Sequence, residues 1–164
     1  MILNLLVHYD AACCGAKEFN VPTKTTTTKS AGFSDAEKAA ARERVKELKR
    51  SGDQEAEARE VMQKLAEMPE PDRSMGERVH ALVTSVSPEL APKTYYGMPA
   101  YAKDGKVICF FKPKSKFKVR YASFEFNPDA KLDDGAMWPV SFALTELTPT
   151  TEAQIKELVK KAIS

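Results

Sequence analysis

The segment from Tyr95 to Tyr101 places three tyrosine rings, a glycine and a proline within seven positions. Glycine adopts backbone angles that other residues avoid, and proline fixes its own φ angle and removes a hydrogen-bond donor. Tyrosine combines an apolar ring with a polar hydroxyl, which suits the rim of a cleft. The segment therefore predicts a bent start of a β-strand whose rings line a pocket. It holds no acid, base or nucleophile that would indicate catalysis.

Further aromatic residues, among them Tyr121 and Trp138, and the cations Lys118 and Arg120 follow along the predicted sheet. Half of these aromatic side chains must build the core, but tyrosine and tryptophan carry polar groups that favour a cleft rim. A neighbouring cation would pair with an anionic group of a ligand. The pattern predicts a pocket for a small ligand whose wall is shared by Tyr96, Met98, Tyr101, Lys118, Arg120, Tyr121 and Trp138.

A basic run extends from Lys112 to Arg120, with cations at alternate positions. On an extended hairpin these cations would share one side. Such a side could bind a phosphate, a carboxylate or single-stranded nucleic acid, with Phe117 and Tyr121 available for stacking. The favoured alternative is a solvated hairpin tip, or lysines that protect a sheet edge from aggregation. The net charge of +2 implies no bulk attraction to nucleic acid or membrane, so nucleic acid is a disfavoured partner.

The chain has only two histidines and three cysteines. His8 with the adjacent Cys13 and Cys14 lacks the two-residue spacing of zinc-binding cysteine pairs. His80 is expected on a helix as a hydrogen-bonded boundary residue, and Cys109 is expected in a strand as a small core residue. Because no nucleophile–base pair, phosphate-binding glycine loop or dinucleotide motif is visible, an enzyme ranks third among the candidate functions.

Three aspartates, Asp129, Asp133 and Asp134, offer oxygen ligands that suit iron, magnesium or calcium. The sequence Asp133-Asp134-Gly135 is also an ordinary turn, and the turn is the favoured interpretation. The metal ligands are therefore left unassigned.

Composition indicates one domain with an appendage in 164 residues, of which 43% are hydrophobic and 29% charged. The apolar start from Met1 to Val7 is short and lacks a basic leading region, so a secretory signal is not expected. No apolar run approaches the roughly 20 residues that span a bilayer. Because the cysteines form no disulfide framework, a reducing cytoplasm is the expected compartment.

Local signals divide the chain into helices and strands. Ser34 with Glu37 forms a capping box, and Thr148 followed by Pro149 predicts a second helix start. Asp104-Gly105 predicts a hairpin turn. Hydrophobic spacing predicts helices over 35–50, 54–67, 73–85 and from 149 onward, and strands over 100–103, 106–112, 118–126 and 140–144.

This order of elements predicts an α+β fold, in which helices pack on an antiparallel sheet preceded by a helical hairpin. Residues 1–33 are expected to form a disordered extension, because their polar, threonine-rich tract buries little apolar area. Residues 34–70 are interpreted as a helical extension, a solvated hairpin with interspersed charges. Residues 71–164 are expected to form the α+β domain.

The stretch from about Met75 to Ser164 resembles the YdhG-like family of small bacterial domains of unknown function. The matching pieces are Ser87-Pro88-Glu89, the segment from Tyr96 to Tyr101, the strand from Gly105 to Phe111 and the closing helix. The resemblance implies a compact α+β fold. Some relatives carry a frataxin-like iron-chaperone label, so the resemblance implies iron as a cofactor or cargo, and no iron ligands are carried over.

The sequence thus favours non-catalytic binding of a small ligand or metal ion, linked to intracellular iron handling only through the family resemblance. The alternative is an adaptor for nucleic acid or an acidic partner that uses the basic hairpin over 112–120. The oligomeric state is left open.

Overall fold

The computed structural model of the chain describes residues 33–50 and 52–164. The extension expected over 1–33 therefore lies outside the described residues except for Phe33, and so do His8, Cys13 and Cys14. The elements in chain order are α1 (Asp35–Arg50), α2 (Gln54–Ala66), α3 (Asp72–Val86), β1 (Ala91–Tyr95), β2 (Met98–Lys103), β3 (Lys106–Lys112), α4 (Lys114–Phe117), β4 (Ala122–Phe126), β5 (Ser141–Leu144) and α5 (Pro149–Ile163).

Side-chain caps start the helices where the sequence predicts them. The backbone N–H of Glu37 donates to Ser34 Oγ at 3.2 Å, and the N–H of Ser34 donates to Glu37 Oε2 at 2.7 Å, which confirms the capping box of α1. The hydroxyl of Thr148 accepts a bond from the N–H of Thr151 at the start of α5. These caps satisfy N–H groups that a helix start leaves unpaired.

The five strands form one antiparallel sheet in the order β1-β2-β3-β4-β5, which confirms the predicted α+β class. Strand β1 was not predicted, because it contains Pro92, which discourages a strand assignment. Proline is tolerated there because β1 lies at the sheet edge, where one side needs no ladder hydrogen bonds. Strand β4 begins at Ala122 instead of 118, because α4 and the positive φ of Lys118 (53°) interrupt the extended chain.

One face of the sheet packs against helices α2, α3 and α5 to form the main core. Strands β2, β3 and β4 contribute the fully buried rings of Tyr101, Phe111 and Phe124, and α2 contributes Val61 and Leu65. The interpretation of residues 34–70 as a solvated hairpin is wrong for α2, because these two side chains have no exposed surface. Alternation along the strands decides which residues reach this face.

The opposite face of the sheet carries a second apolar cluster of Met98, Ala100, Val107 and Phe110. Antiparallel sheets commonly leave one face to solvent, with polar side chains on it. Here Tyr95, Tyr96 and Phe117 pack on the second cluster, and Ala40 of α1 is buried. The second face is therefore a covered apolar surface, and it positions the candidate site. None of the described helices has the length and apolar character to span a bilayer.

Candidate ligand cavity and the adjoining turn

The centre of the Tyr95–Tyr101 segment is a two-residue turn between β1 and β2. Tyr95 pairs with Met98 across the ladder, so Tyr96 and Gly97 form the loop. Their φ angles are 53° and 67°, as in the type I′ turns that close tight hairpins. The segment is thus a tight hairpin and not the expected bent start of one strand, because two successive left-handed residues reverse the chain completely.

A cavity of about 540 Å³ lies between α1 and the second face of the sheet. Its apolar lining includes Tyr96, Met98 and Phe110 from the hairpins, together with Phe117. The N-terminal half of α1 lines it with Ala40 and Ala41 and with the longer side chains of Glu37, Lys38 and Arg42. The volume lies within the roughly 300–1,000 Å³ that small-molecule sites occupy.

Five charged residues line this cavity: Glu37, Lys38 and Arg42 of α1, and Lys112 and Glu125 of the sheet. Lys112 ends β3 and Glu125 lies on β4, and Lys112 Nζ is 3.7 Å from Glu125 Oε1. Lys112 Nζ also lies 5.3 Å from the centroid of the Phe117 ring. An apolar ring wall with charged side chains at its edge can bind a molecule that carries a single ionic group.

Glu47 of α1 binds the two backbone N–H groups of the Tyr96–Gly97 turn. The N–H of Tyr96 donates to Oε2 at 3.0 Å, and the N–H of Gly97 donates to Oε1 at 2.6 Å. The Glu47 side chain is only 5% exposed, and Arg44 Nη1 lies 3.3 Å from its Oε2. The guanidinium of Arg44 also lies 5.0 Å and 5.6 Å from the ring centroids of Tyr95 and Tyr96. Charge-assisted hydrogen bonds of this kind are stronger than neutral ones.

A second carboxylate of α1, Glu43, lies beside the same turn. Lys116 Nζ donates to Glu43 Oε2 at 2.6 Å and to the carbonyl of Tyr96 at 2.7 Å, while Lys64 Nζ donates to Glu43 Oε1 at 3.2 Å. Burial opposes ionisation of Glu43, but the hydrogen bonds and charges of Lys116 and Lys64 outweigh it, so the pKa of Glu43 is lowered. We call Glu43, Glu47, the Tyr96–Gly97 turn and Lys116 the carboxylate latch.

Of the seven residues predicted to share a pocket wall, the cavity brings together Tyr96 and Met98. Tyr101 is fully buried on the opposite face, because it is offset by an odd number of positions from Met98 along β2. Its hydroxyl lies 3.3 Å from Nδ1 of His80, which confirms His80 as a hydrogen-bonded boundary residue. Burial lowers the pKa of His80 and raises the pKa of Tyr101.

The other four predicted wall residues lie elsewhere. Lys118, Arg120 and Tyr121 are exposed in the segment after α4, where the Arg120 guanidinium lies 5.4 Å from the Tyr121 ring centroid. Trp138 is half-buried and lines a different cavity of about 430 Å³, with Met137. The expectation of one shared wall is therefore corrected, and contact of these residues with a ligand stays a prediction.

The basic run over 112–120 is not an extended hairpin. Residues 114–117 form the helical turn α4, so the alternation of cations does not place them on one side. Lys112 and Lys116 face carboxylates of Glu125 and Glu43. The one-sided cationic strip, which was the less favoured interpretation of this run, therefore does not form over 112–120.

Metal ligands and nucleophiles are dispersed in the described part of the chain. Within residues 33–50 and 52–164, no group of three or more histidine, cysteine, aspartate or glutamate side chains is placed to hold a metal ion. Asp129 pairs with Lys106 at 2.8 Å. Cys109 is fully buried, which confirms its core role, and burial raises the pKa of its thiol.

Sequence reasoning missed the contribution of α1 to this site. Ala40, Glu43, Arg44 and Glu47 follow the i, i+3, i+4, i+7 spacing of one helical face, which is the only signal that could have found them. Three of these four residues are charged, so a search for apolar stripes does not detect this helical face.

Comparison with known proteins returned no relative. No family model, no curated protein and no solved structure matches the chain significantly. The resemblance to the YdhG-like family therefore stays a prediction from the sequence.

Proposed function

We propose that this protein binds a small, largely apolar molecule with one ionic group in the cavity between α1 and the sheet, and that binding is not catalytic. The observation that carries the proposal is the cavity of about 540 Å³ itself, walled by Tyr96, Met98, Phe110 and Phe117. Apolar ring surface would supply most of the binding free energy, at roughly 25 cal/mol per Å² removed from water. Lys112 would pair with an anionic group of the ligand.

A larger groove of about 800 Å³ lies between α5 and strands β4 and β5. Its lining includes none of the seven residues that the sequence predicts for the pocket wall. The α1 cavity is favoured because the helix that closes it contributes small side chains at Ala40 and Ala41, which leave space over an apolar sheet face.

Three expectations from the sequence belong to the same proposal: membership of the YdhG-like family, a cytoplasmic location and a link to iron handling. The iron link rests on the resemblance alone. Anaerobic titration with Fe(II) tests it directly, because an iron chaperone must show saturable uptake at a defined stoichiometry. A linear, non-saturating response would contradict the iron link and leave the small-ligand proposal intact.

The small-ligand proposal is tested with the fluorescent probe 8-anilinonaphthalene-1-sulfonate, whose rings and single sulfonate match the cavity. We expect saturable binding to the unchanged chain. The variant Ala41→Trp should weaken it by at least about tenfold, because the indole fills the cavity. The matched control is Ala39→Trp on the same helix, since Ala39 is exposed and does not line the cavity.

Two outcomes would refute the assignment. The first is the absence of saturable probe binding to the unchanged chain. The second is equal binding by the Ala41→Trp and Ala39→Trp variants, which would place the probe in another groove, such as the one beside α5.

A further inference from the structure

We propose that the Tyr96–Gly97 turn with Lys116 is a binding site for an acidic helix of a protein partner, and that α1 occupies it in the present structure as an internal competitor. The partner helix would present two glutamates one turn apart, as α1 presents Glu43 and Glu47. This site adjoins the apolar cavity, and the proposal does not depend on small-molecule binding.

The turn is built to receive a carboxylate. Two consecutive residues with positive φ point their N–H groups to the same side, and such N–H pairs form concave anion-binding sites. In a two-residue hairpin these N–H groups are not needed by the strand ladder. Each binds a different oxygen of Glu47, so the carboxylate is held by two bonds of 3.0 and 2.6 Å.

The space beside Gly97 is shaped for a second carboxylate. A Cβ atom at this position would overlap Glu43 Oε2 and Lys116 Nζ, so the glycine allows the close approach of both groups. Lys116 Nζ links the approaching carboxylate to the turn, because it also donates to the carbonyl of Tyr96. The site therefore recognises the pair of carboxylates and their separation along a helix.

The attachment of α1 to the rest of the protein is mainly electrostatic. Among the described side chains of α1, Ala40 is the one apolar group that is buried. Val45 and Leu48, by contrast, are 55% and 61% exposed. Burial of a single alanine contributes little free energy, so a competing helix need not overcome a large apolar interface.

A partner helix can bind better than α1 by filling the adjoining cavity. Ala41 lines that cavity and is exposed, so a larger side chain at the equivalent position of a partner would enter apolar space against Phe110 and Met98. The preferred partner is therefore a helix with a large apolar residue two positions before the first of two glutamates spaced by four.

The test uses the full chain with Glu43→Gln and Glu47→Gln, which weakens the internal competitor without changing side-chain size. Three labelled peptides covering residues 33–50 are titrated by fluorescence anisotropy: the native sequence, the same sequence with Ala41→Phe, and a control with Glu43→Gln and Glu47→Gln. We expect the native peptide to bind at least about tenfold more tightly than the control, since charge-assisted bonds are lost in the control. The Ala41→Phe peptide should bind more tightly again.

Equal affinity of the native and control peptides would overturn the proposal. A second measurement covers the case in which the variant chain does not fold. The Ala41→Phe peptide is added to the unchanged chain, and amide hydrogen exchange is followed by mass spectrometry. We expect faster exchange in α1 while the amides of Tyr96 and Gly97 stay protected. Unchanged exchange in α1 at saturating peptide would also overturn the proposal.

Discussion

Replacing Gly97 by alanine tests the carboxylate latch, because the substitution acts on the turn and on its contact with α1 at once. The backbone cost arises from the φ angle of 67°, which an L-residue adopts at a cost of about 1–2 kcal/mol. The added methyl group would also overlap Glu43 Oε2 and Lys116 Nζ. Both atoms end flexible side chains, so the side chains move and the backbone does not.

The additional loss is therefore the ion pair between Glu43 and Lys116. The two side chains are 28% and 25% exposed, and a pair of this kind contributes on the order of 1 kcal/mol. We expect Gly97→Ala to lower the free energy of unfolding by about 2–3 kcal/mol in total. Urea denaturation followed by circular dichroism measures this quantity.

Gly105→Ala is a matched control. Gly105 occupies the second position of the next hairpin turn, with a φ angle of 79°, and a Cβ atom there would have no heavy atom within 4 Å. This variant should show the backbone cost alone, about 1–2 kcal/mol. Equal destabilisation by Gly97→Ala and Gly105→Ala would refute the packing of α1 carboxylates against the turn.

A double-mutant cycle separates the two contributions further. In a chain that already carries Glu43→Ala, the methyl group at position 97 no longer meets a carboxylate. The cost of Gly97→Ala should then fall to that of Gly105→Ala. Strict additivity of Gly97→Ala and Glu43→Ala would show that the two positions do not interact.

Three further predictions concern acid, the core and the thiol. The pKa of the Glu43 carboxyl group is lowered in the fold. The ionised carboxylate therefore stabilises the latch fully at pH values above the ordinary glutamate pKa, and this stabilisation is lost as the pH falls through the lowered pKa. The protection of the Tyr96 amide, which is its exchange rate compared with the intrinsic rate at each pH, should therefore fall in acid as α1 is released. Protection that does not change with pH would contradict this. Phe111→Ala should destabilise the protein by about 3–5 kcal/mol in urea denaturation, because Phe111 is fully buried. Phe33→Ala, at a residue 76% exposed, should stay within about 0.5 kcal/mol. Cys109 should not react with iodoacetamide until the chain unfolds, since its thiol is buried and has a raised pKa. Alkylation of Cys109 in the folded protein, detected by peptide mapping with mass spectrometry, would contradict this.

Elements with local signals could be predicted closely. The capping boxes at Ser34 and Thr148 are satisfied by bonds within three residues of the chain, so the starts of α1 and α5 depend on no distant contact. Strand β1 could not be predicted in the same way. Its pairing with β2 and its edge position are properties of the whole sheet, and only these make Pro92 acceptable.

The candidate site was predictable in part. The Tyr96–Met98 segment stands out by composition, and both residues line the cavity. Glu43 and Glu47 are about 50 positions away in sequence and look like solvated helix charges. Their role depends on contacts between α1 and the β1–β2 turn, which no local pattern encodes.

The sequence by itself determined the α+β class, the helix starts and the hairpin turn at Asp104-Gly105, because capping, side-chain periodicity and glycine backbone freedom act over a few residues. Tertiary structure alone decided which side of the sheet each ring faces and which charges meet. Met98 and Tyr101 lie on opposite faces because side chains alternate along β2 from a register that the paired strands set. The carboxylates of α1 bind the Tyr96–Gly97 turn because folding brings distant groups within hydrogen-bond reach and partly excludes water from them.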